Sequence, residues 1–214
     1  MASTAILAQG TSFAIAGTPG ASITITAITK AKPAVVTATN TLAAGDCVVF
    51  GVITGMPEMT GRFGVVSAAT GTGFTVNIDA SNFSAAGTAG TAVPQTFTVI
   101  SNIHDYTGFD GTAAEIDVTN LQSLAKEYSP GLEDFGQFTV NLDLDTADAG
   151  QIAARAAKTS QMKTYFKLVM RNGAVRLIYG FVKKFSEAGG VDAVIKTSMD
   201  VRISSRPSAS EIVA

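Results

Sequence analysis

His104 is the single histidine of the chain and Cys47 its single cysteine. The side chains most used for acid–base and nucleophilic chemistry are therefore scarce. A general base at His104 needs a serine or cysteine in a nucleophile motif beside it, and IHDY (103–106) offers none. His104 reads as a strand-end residue. Asp143 and Asp145 stand two apart in FTVNLDLD (138–145), so on a strand they share a face, as paired catalytic carboxylates do. Thr139 and Asn141 fall on that same face, which makes it a solvated surface. Cys47 lies in CVVF (47–50), a buried-strand context that predicts an inert thiol.

Metal and phosphate chemistry fare no better. The stretch DYTGFDGTAAEID (105–117) invites comparison with a calcium loop. Aligning Gly111 with the invariant glycine puts Tyr106, Gly108 and Asp110 at the first ligand positions, and two of these carry no carboxylate. One histidine rules out a two-histidine site, and one cysteine rules out both a disulfide framework and a multi-cysteine zinc site. GTPGAS (17–22) is turn chemistry, and no GxxxxGK[ST] loop exists. No catalytic residue, metal or cofactor is expected.

The elements that carry these residues are mostly strands. A chain of 214 residues buries one core, or one core plus a small satellite. Between Ile23 and Thr96 there are six charged residues, amid Thr, Ala, Gly and Val. Turn signals at Ala44-Gly45-Asp46, Gly55-Met56-Pro57 and Gly71-Thr72-Gly73 divide this stretch into strands over 33–38, 47–53, 62–68 and 73–78. TFTVIS (96–101) is a further strand, and 105–117 reads as an acidic loop.

Thr119 and Gln122 have capping-box spacing, which predicts a short helix with Leu121, Leu124, Ala125 and Tyr128 buried and a stop at the Pro130–Gly131 corner. After it, Phe138, Val140, Leu142 and Leu144 alternate with polar residues. A second helix over 145–161 is expected, capped by Thr146, with Asp148 near its positive end and a stripe of Ala149, Ile152, Ala153, Ala156 and Ala157. Asn172-Gly173 turns a hairpin between 164–170 and 174–185. The closing strand, 193–204, sets Ile195, Met199, Val201 and Ile203 against Lys196, Ser198, Asp200 and Arg202.

Charge speaks about partners. A net charge of −2 gives no general attraction for nucleic acid. Residues 105–148 hold ten acids and one base, whereas 149–214 hold eleven bases and four acids. A self-associating protein uses such a split, acidic segment against basic surface. MASTAILAQG lacks the pattern of a signal peptide and no run of 18 apolar residues occurs, so synthesis in a reducing cytoplasm and no membrane insertion are expected.

The run DVTNLQSLAKEYSPGLEDFGQFTVNLDLD, a small-residue helix, YFKLVMRNGAVRLIYGFVKKF and GGVDAVIKTSMDVRISSRPS, in this order, resembles the major tail tube protein of long-tailed (siphovirus-type) bacteriophages. The likeness covers about 97–214 and the strand near Thr11–Ala16. Its most specific parts are Leu124, Tyr128, Pro130, Gly131, Leu132, Asp134 and Gly136, and the ending Arg206-Pro207-Ser208. Residues 23–95 resemble a small β module of phage tail proteins, through Ala31-Lys32-Pro33-Ala34-Val35-Val36-Thr37, Gly45-Asp46, Gly55-Met56-Pro57-Glu58-Met59 with Gly61-Arg62, and the late Asp79-Ala80-Ser81. Thr60 replaces the module's usual Asn, and Ala43-Ala44-Gly45 its His-Gly.

The resemblance implies a mainly β fold. It would be a tail-tube-type β-sandwich or partial barrel of residues 1–22 and 96–214, with one or two short helices and an inserted small all-β domain, 23–95, on the tube exterior. It implies a structural virion protein, not an enzyme, whose hexameric rings stack into the hollow tail tube, the conduit for DNA ejection. Asp110, Glu115, Asp117, Leu121, Leu124, Tyr128, Pro130, Gly131, Leu132 and Asp134 would form the inter-ring contact loop. Thr139, Asn141, Asp143, Asp145, Lys196, Ser198 and Asp200 would face the lumen. Expected partners are further copies of the chain, tape-measure, tail-tip and tail-terminator proteins, and double-stranded DNA passing without specific binding. The expected location is the virion tail, after assembly in the host cytoplasm. A ring-forming secretion-tube or tail-terminator protein is the alternative; a small-molecule hydrolase built on His104 is a third reading.

Overall fold

Alternating apolar and polar residues build most of the molecule. The structure, a computed structural model, describes residues 5–204 and 208–210; Arg206 and Pro207 of the closing motif lie outside them. The chain is mainly β, 48% strand and 8% helical. The strands are β1 (Ser12–Ala16), β2 (Ile23–Ile25), β3 (Ala27–Ile28), β4 (Ala34–Thr37), β5 (Cys47–Phe50), β6 (Phe63–Thr70), β7 (Gly73–Val76), β8 (Gly90–Gln95) and β9 (Phe97–Ile100). They continue with β10 (Ile103–Gly108), β11 (Thr112–Asp117), β12 (Tyr128–Asp134), β13 (Gln137–Asp143), β14 (Thr164–Val169), β15 (Val175–Ala188), β16 (Lys196–Ile203) and β17 (Ser208–Ser210). One α-helix, α1, spans Ala149–Ser160.

Two compact units divide the chain. The first comprises Met1–Val99, Phe166–Leu177 and Ser208–Ala214, the second Ile100–Tyr165 and Ile178–Pro207, so the division cuts through β14 and β15. In the first unit, a seven-stranded sheet runs β2-β8-β5-β6-β7-β4-β3, all of it drawn from 23–95. Its apolar residues point to one core: in β4, Ala34 and Val36 are buried while Val35 and Thr37 are exposed. Phe50, Met56, Met59 and Phe74 fill that core. Elsewhere in this unit β1 pairs with β14, Phe13 opposite Leu168, and Phe13 stacks on Phe166 at 5.6 Å. Cys47 is buried with Val65, Val175 and Leu177, and burial pushes its thiol up to about 11. The inert-core reading of Cys47 matches this setting.

In the second unit, β13 lies between β10 and β16, all antiparallel. Phe138, Val140 and Leu142 are buried, and so are Val201, Met199 and Thr197 across from them. Tyr106 and Phe109 pack on Phe138 at 5.6 and 5.2 Å. Leu144, expected on the dry face, is half-buried and lies beyond the strand, its N–H donating to the Ile195 carbonyl at 2.9 Å.

Four local expectations are corrected. Residues 105–117 are not a loop but most of β10 and all of β11. Every residue of β11 is exposed, so no hydrophobic period marked it. The helix expected at 119–128 is absent. Leu121 and Leu124, its intended buried stripe, are exposed and give it nothing to lean on. Short side chains instead hold the backbone in turns: the Asp117 carboxylate accepts from Thr119 N–H, the Asn120 carbonyl oxygen from Gln122 N–H, and the Thr119 hydroxyl from Glu127 N–H.

Pro130 and Gly131 are not a corner either; they lie inside β12, paired with β11. Proline is tolerated there because the ladder shifts register between Ala113 and Glu115, beside the Glu115–Pro130 pair. Finally, α1 begins later than expected. Asp148, not Thr146, caps it, accepting from Gln151 N–H at 2.8 Å. The buried side is Gly150, Gln151 and Ala154, which leaves Ala149, Ile152 and Ala156 exposed.

Candidate functional site

The antiparallel register of β13 and β16 builds a polar face residue by residue. Thr139 stands opposite Asp200, Asn141 opposite Ser198, and Asp143 opposite Lys196. Cross-strand neighbours at such spacing touch directly. The Thr139 hydroxyl donates to Asp200 at 2.9 Å, and Gln137 Nε2 donates to the Thr139 hydroxyl at 3.2 Å. Asn141 Nδ2 donates to Asp105 on β10 at 2.7 Å. Six of the seven residues expected to face a lumen thus share one sheet face. The seventh, Asp145, lies past the strand end, where its carboxylate accepts from Ala147 N–H at 2.8 Å.

Asp143 is the electrostatic centre of this face. Lys196 Nζ lies 2.6 Å from one carboxylate oxygen, and His104 Nε2 lies 2.8 Å from the other. The hydrogen bond from Lys196, then that from His104, holds the Asp143 carboxyl below the usual carboxylate range. Lys196 Nζ is also 3.0 Å from His104 Nε2. A cleft of about 390 Å³ opens here, bordered by His104, Asn141, Ser186, Lys196 and Ser198. The imidazole in it is engaged by the Asp143 carboxylate, and the Ser186 hydroxyl donates to the Ser198 carbonyl at 3.4 Å.

From the rim of the polar face β11 and β12 project as a two-stranded hairpin. Its base is fastened by charge. Asp110 accepts from Gln137 N–H at 3.1 Å, Asp134 accepts from Gly136 N–H at 2.9 Å, and Arg202 pairs with Asp134. The Gly136 amide first, and Arg202 after it, keep the Asp134 carboxyl below its ordinary range. Gly136 takes φ +74, and a Cβ there would meet the Asp110 carboxylate at 2.3 Å. The hairpin is bare: Leu121 and Leu124 at its tip are 107% and 105% exposed, and Leu132 on β12 is 91% exposed. Glu115, Asp117, Tyr128, Pro130 and Gly131 lie on its strands, with Asp117 opposite Tyr128. The ten residues expected in a contact loop all lie on this hairpin or at its base.

Sequence reasoning missed Gln151. It is fully buried and ties three segments together, accepting from Asp145 N–H at 2.9 Å and donating to the carbonyls of Asp143 at 2.9 Å and Ser101 at 3.3 Å. A glutamine three residues after a capping aspartate was the available signal. Among the described residues, no group of three or more His, Cys, Asp or Glu side chains is placed to hold a metal ion.

A mainly β chain with one polar sheet face and a bare apolar hairpin is the class that fold and site define. Residues 83–176 match a family model described as "Phage tail tube, TTP, lambda-like". Over those residues the chain is similar to phage tail tube proteins, the type that the sequence resembles. Among curated proteins none matches the chain. Among solved structures, a chain of "Virion of native gene transfer agent (GTA) particle" is 16% identical, with TM-score 0.47 over 53% of this chain and 88% of that one. A chain of "Tail of empty GTA particle computed with helical refinement, C6 symmetry" is 15% identical, with TM-score 0.45 over 53% of this chain and 86% of that one.

Proposed function

We propose that copies of this chain close into hexameric rings that stack into a hollow tube, without catalytic activity of their own. The family match over 83–176 carries the reading. In it, the polar face of β13 and β16 lines the bore and the β11–β12 hairpin reaches the adjacent ring. A wall of carboxylates, hydroxyls and amides suits a conduit for DNA. Asp200 repels phosphates over about 8 Å at physiological salt, and the pairing of Asp143 with Lys196 cancels the lysine's attraction for the duplex.

Ring closure also serves the strands themselves, because free sheet edges otherwise template aggregation. Stacked rings are head-to-tail contacts that grow until something ends them, which calls for length-measuring, tip and terminator partners. Residues 23–95, whose seven strands form a sheet of their own, are the inserted module and decorate the exterior. Assembly takes place in the host cytoplasm.

Negative-stain microscopy of the purified full chain tests this reading. Hollow tubes are expected. Isolated rings would favour a terminator-like protein, and monomers at high concentration would refute the proposal.

A further inference from the structure

Helix α1 shows solvent a surface that suits a partner. Ala149, Ile152 and Ala156 recur at helical spacing on its exposed side, Ile152 being 48% exposed, and Met162 follows at 69%. Basic groups flank this stripe. Arg155 lies with its guanidinium 5.9 Å from the Phe185 ring, and Lys158 and Lys163 are both exposed. The β11–β12 hairpin has the opposite make-up: exposed Leu121 and Leu124 at its tip, with Glu115, Asp117 and Glu127 exposed beside them.

We propose that the hairpin of one copy docks on the α1 face of a second copy. Its leucines settle on the floor of small side chains, and its acids meet Lys158 and Lys163. This rests on the self-assembly proposed above and names the surface that receives the hairpin. Charge complementarity selects the pairing. Residues 110–134, the hairpin and its base, carry six acids and one base, and 149–163 carry three bases and no acid. Hairpin against hairpin and helix against helix both place like charges together, so the head-to-tail encounter is favoured. Alanines at the contact let a full leucine side chain approach the helix backbone. A contact of this kind is heterologous, and it propagates from copy to copy.

The test uses the assembled full chain made from equal parts of ordinary and 15N-labelled protein, coupled with a zero-length carbodiimide and mapped by mass spectrometry. Mixed-isotope crosslinks from Glu115, Asp117 or Glu127 to Lys158 or Lys163 are expected. A Lys158→Glu, Lys163→Glu variant should assemble at least tenfold less well, and mixing it with a Glu115→Lys, Glu127→Lys variant should restore assembly. Thermal melts followed by circular dichroism establish that both variants fold; the wild-type crosslinks decide the question without them. Assemblies whose hairpin carboxylates couple elsewhere, or only within one chain, would overturn the docking site while leaving the tube intact. A chain that stays monomeric overturns both.

Discussion

Gln151→Met is the most telling single change, because it removes polar ties while keeping length and volume. The native amide serves one N–H and two carbonyls on Asp145, Asp143 and Ser101. Ser101 is exposed, so water takes over its carbonyl. The Asp143 carbonyl and Asp145 amide belong to half-buried residues and lose more. At about 1–2 kcal/mol for each poorly resolvated group, the junction between β13 and α1 weakens by about 2–4 kcal/mol. That equals roughly 30- to 700-fold in an opening equilibrium. Native-state hydrogen exchange at the Asp145 amide reads this opening directly and avoids treating a chain of two units as a two-state folder. Acceleration below about threefold would refute the idea that Gln151 anchors the end of the polar face.

Four further outcomes follow from the geometry. Leu121→Ser with Leu124→Ser should leave the thermal melt unchanged, since both side chains are fully exposed, yet abolish tubes in micrographs; a lowered melting temperature would mean that they pack within the chain. The Asp143 carboxyl titrates below its ordinary value of 3.8, so the stabilisation by Lys196 and His104 is complete above that value and is lost as pH falls through the depressed one. Lys196→Met should therefore raise the Asp143 midpoint in a carboxyl NMR titration, and an unmoved midpoint would contradict the pairing.

Cys47, raised from 9.0 to about 11 by burial, should resist iodoacetamide at pH 8 until denaturant is added. Its contribution to stability is whole below the ordinary thiol value and fades as pH rises toward the folded one; rapid labelling of the folded chain would contradict its burial. Asp148→Ala should destabilise α1 by about 1 kcal/mol through loss of the cap, seen as faster exchange of the Gln151 amide, and no change would show that the helix does not depend on it.

Where one face of an element is dry and the other wet, its residues spell out the structure. The alternation in FTVNLD (138–143) prescribed both the buried Phe138–Val140–Leu142 row and the polar row opposite. Asn172-Gly173 prescribed its hairpin, with Gly173 at φ +81. Where neither face is buried, the pattern has nothing to record. The β11–β12 hairpin is exposed along nearly all its length, and its Leu121, Leu124 and Tyr128 mimic a helical stripe whose core does not exist within the chain. The likeness of Pro130–Gly131 to a corner fails for a related reason: a register shift in the β11–β12 ladder accommodates the proline, and one strand's sequence does not reveal the register of its pairing.

Composition and spacing alone thus determined that this is a strand-rich protein with a split charge, because side-chain types and two-residue periods are local properties. Tertiary structure decided which polar residues meet. The pairing of Asp143 with Lys196 and His104, 53 and 39 positions away in sequence, follows from strand order. So does the burial of Gln151 in place of the expected alanines: α1 turns toward its sheet the side whose hydrogen bonds satisfy exposed strand ends, and that demand comes from outside the helix.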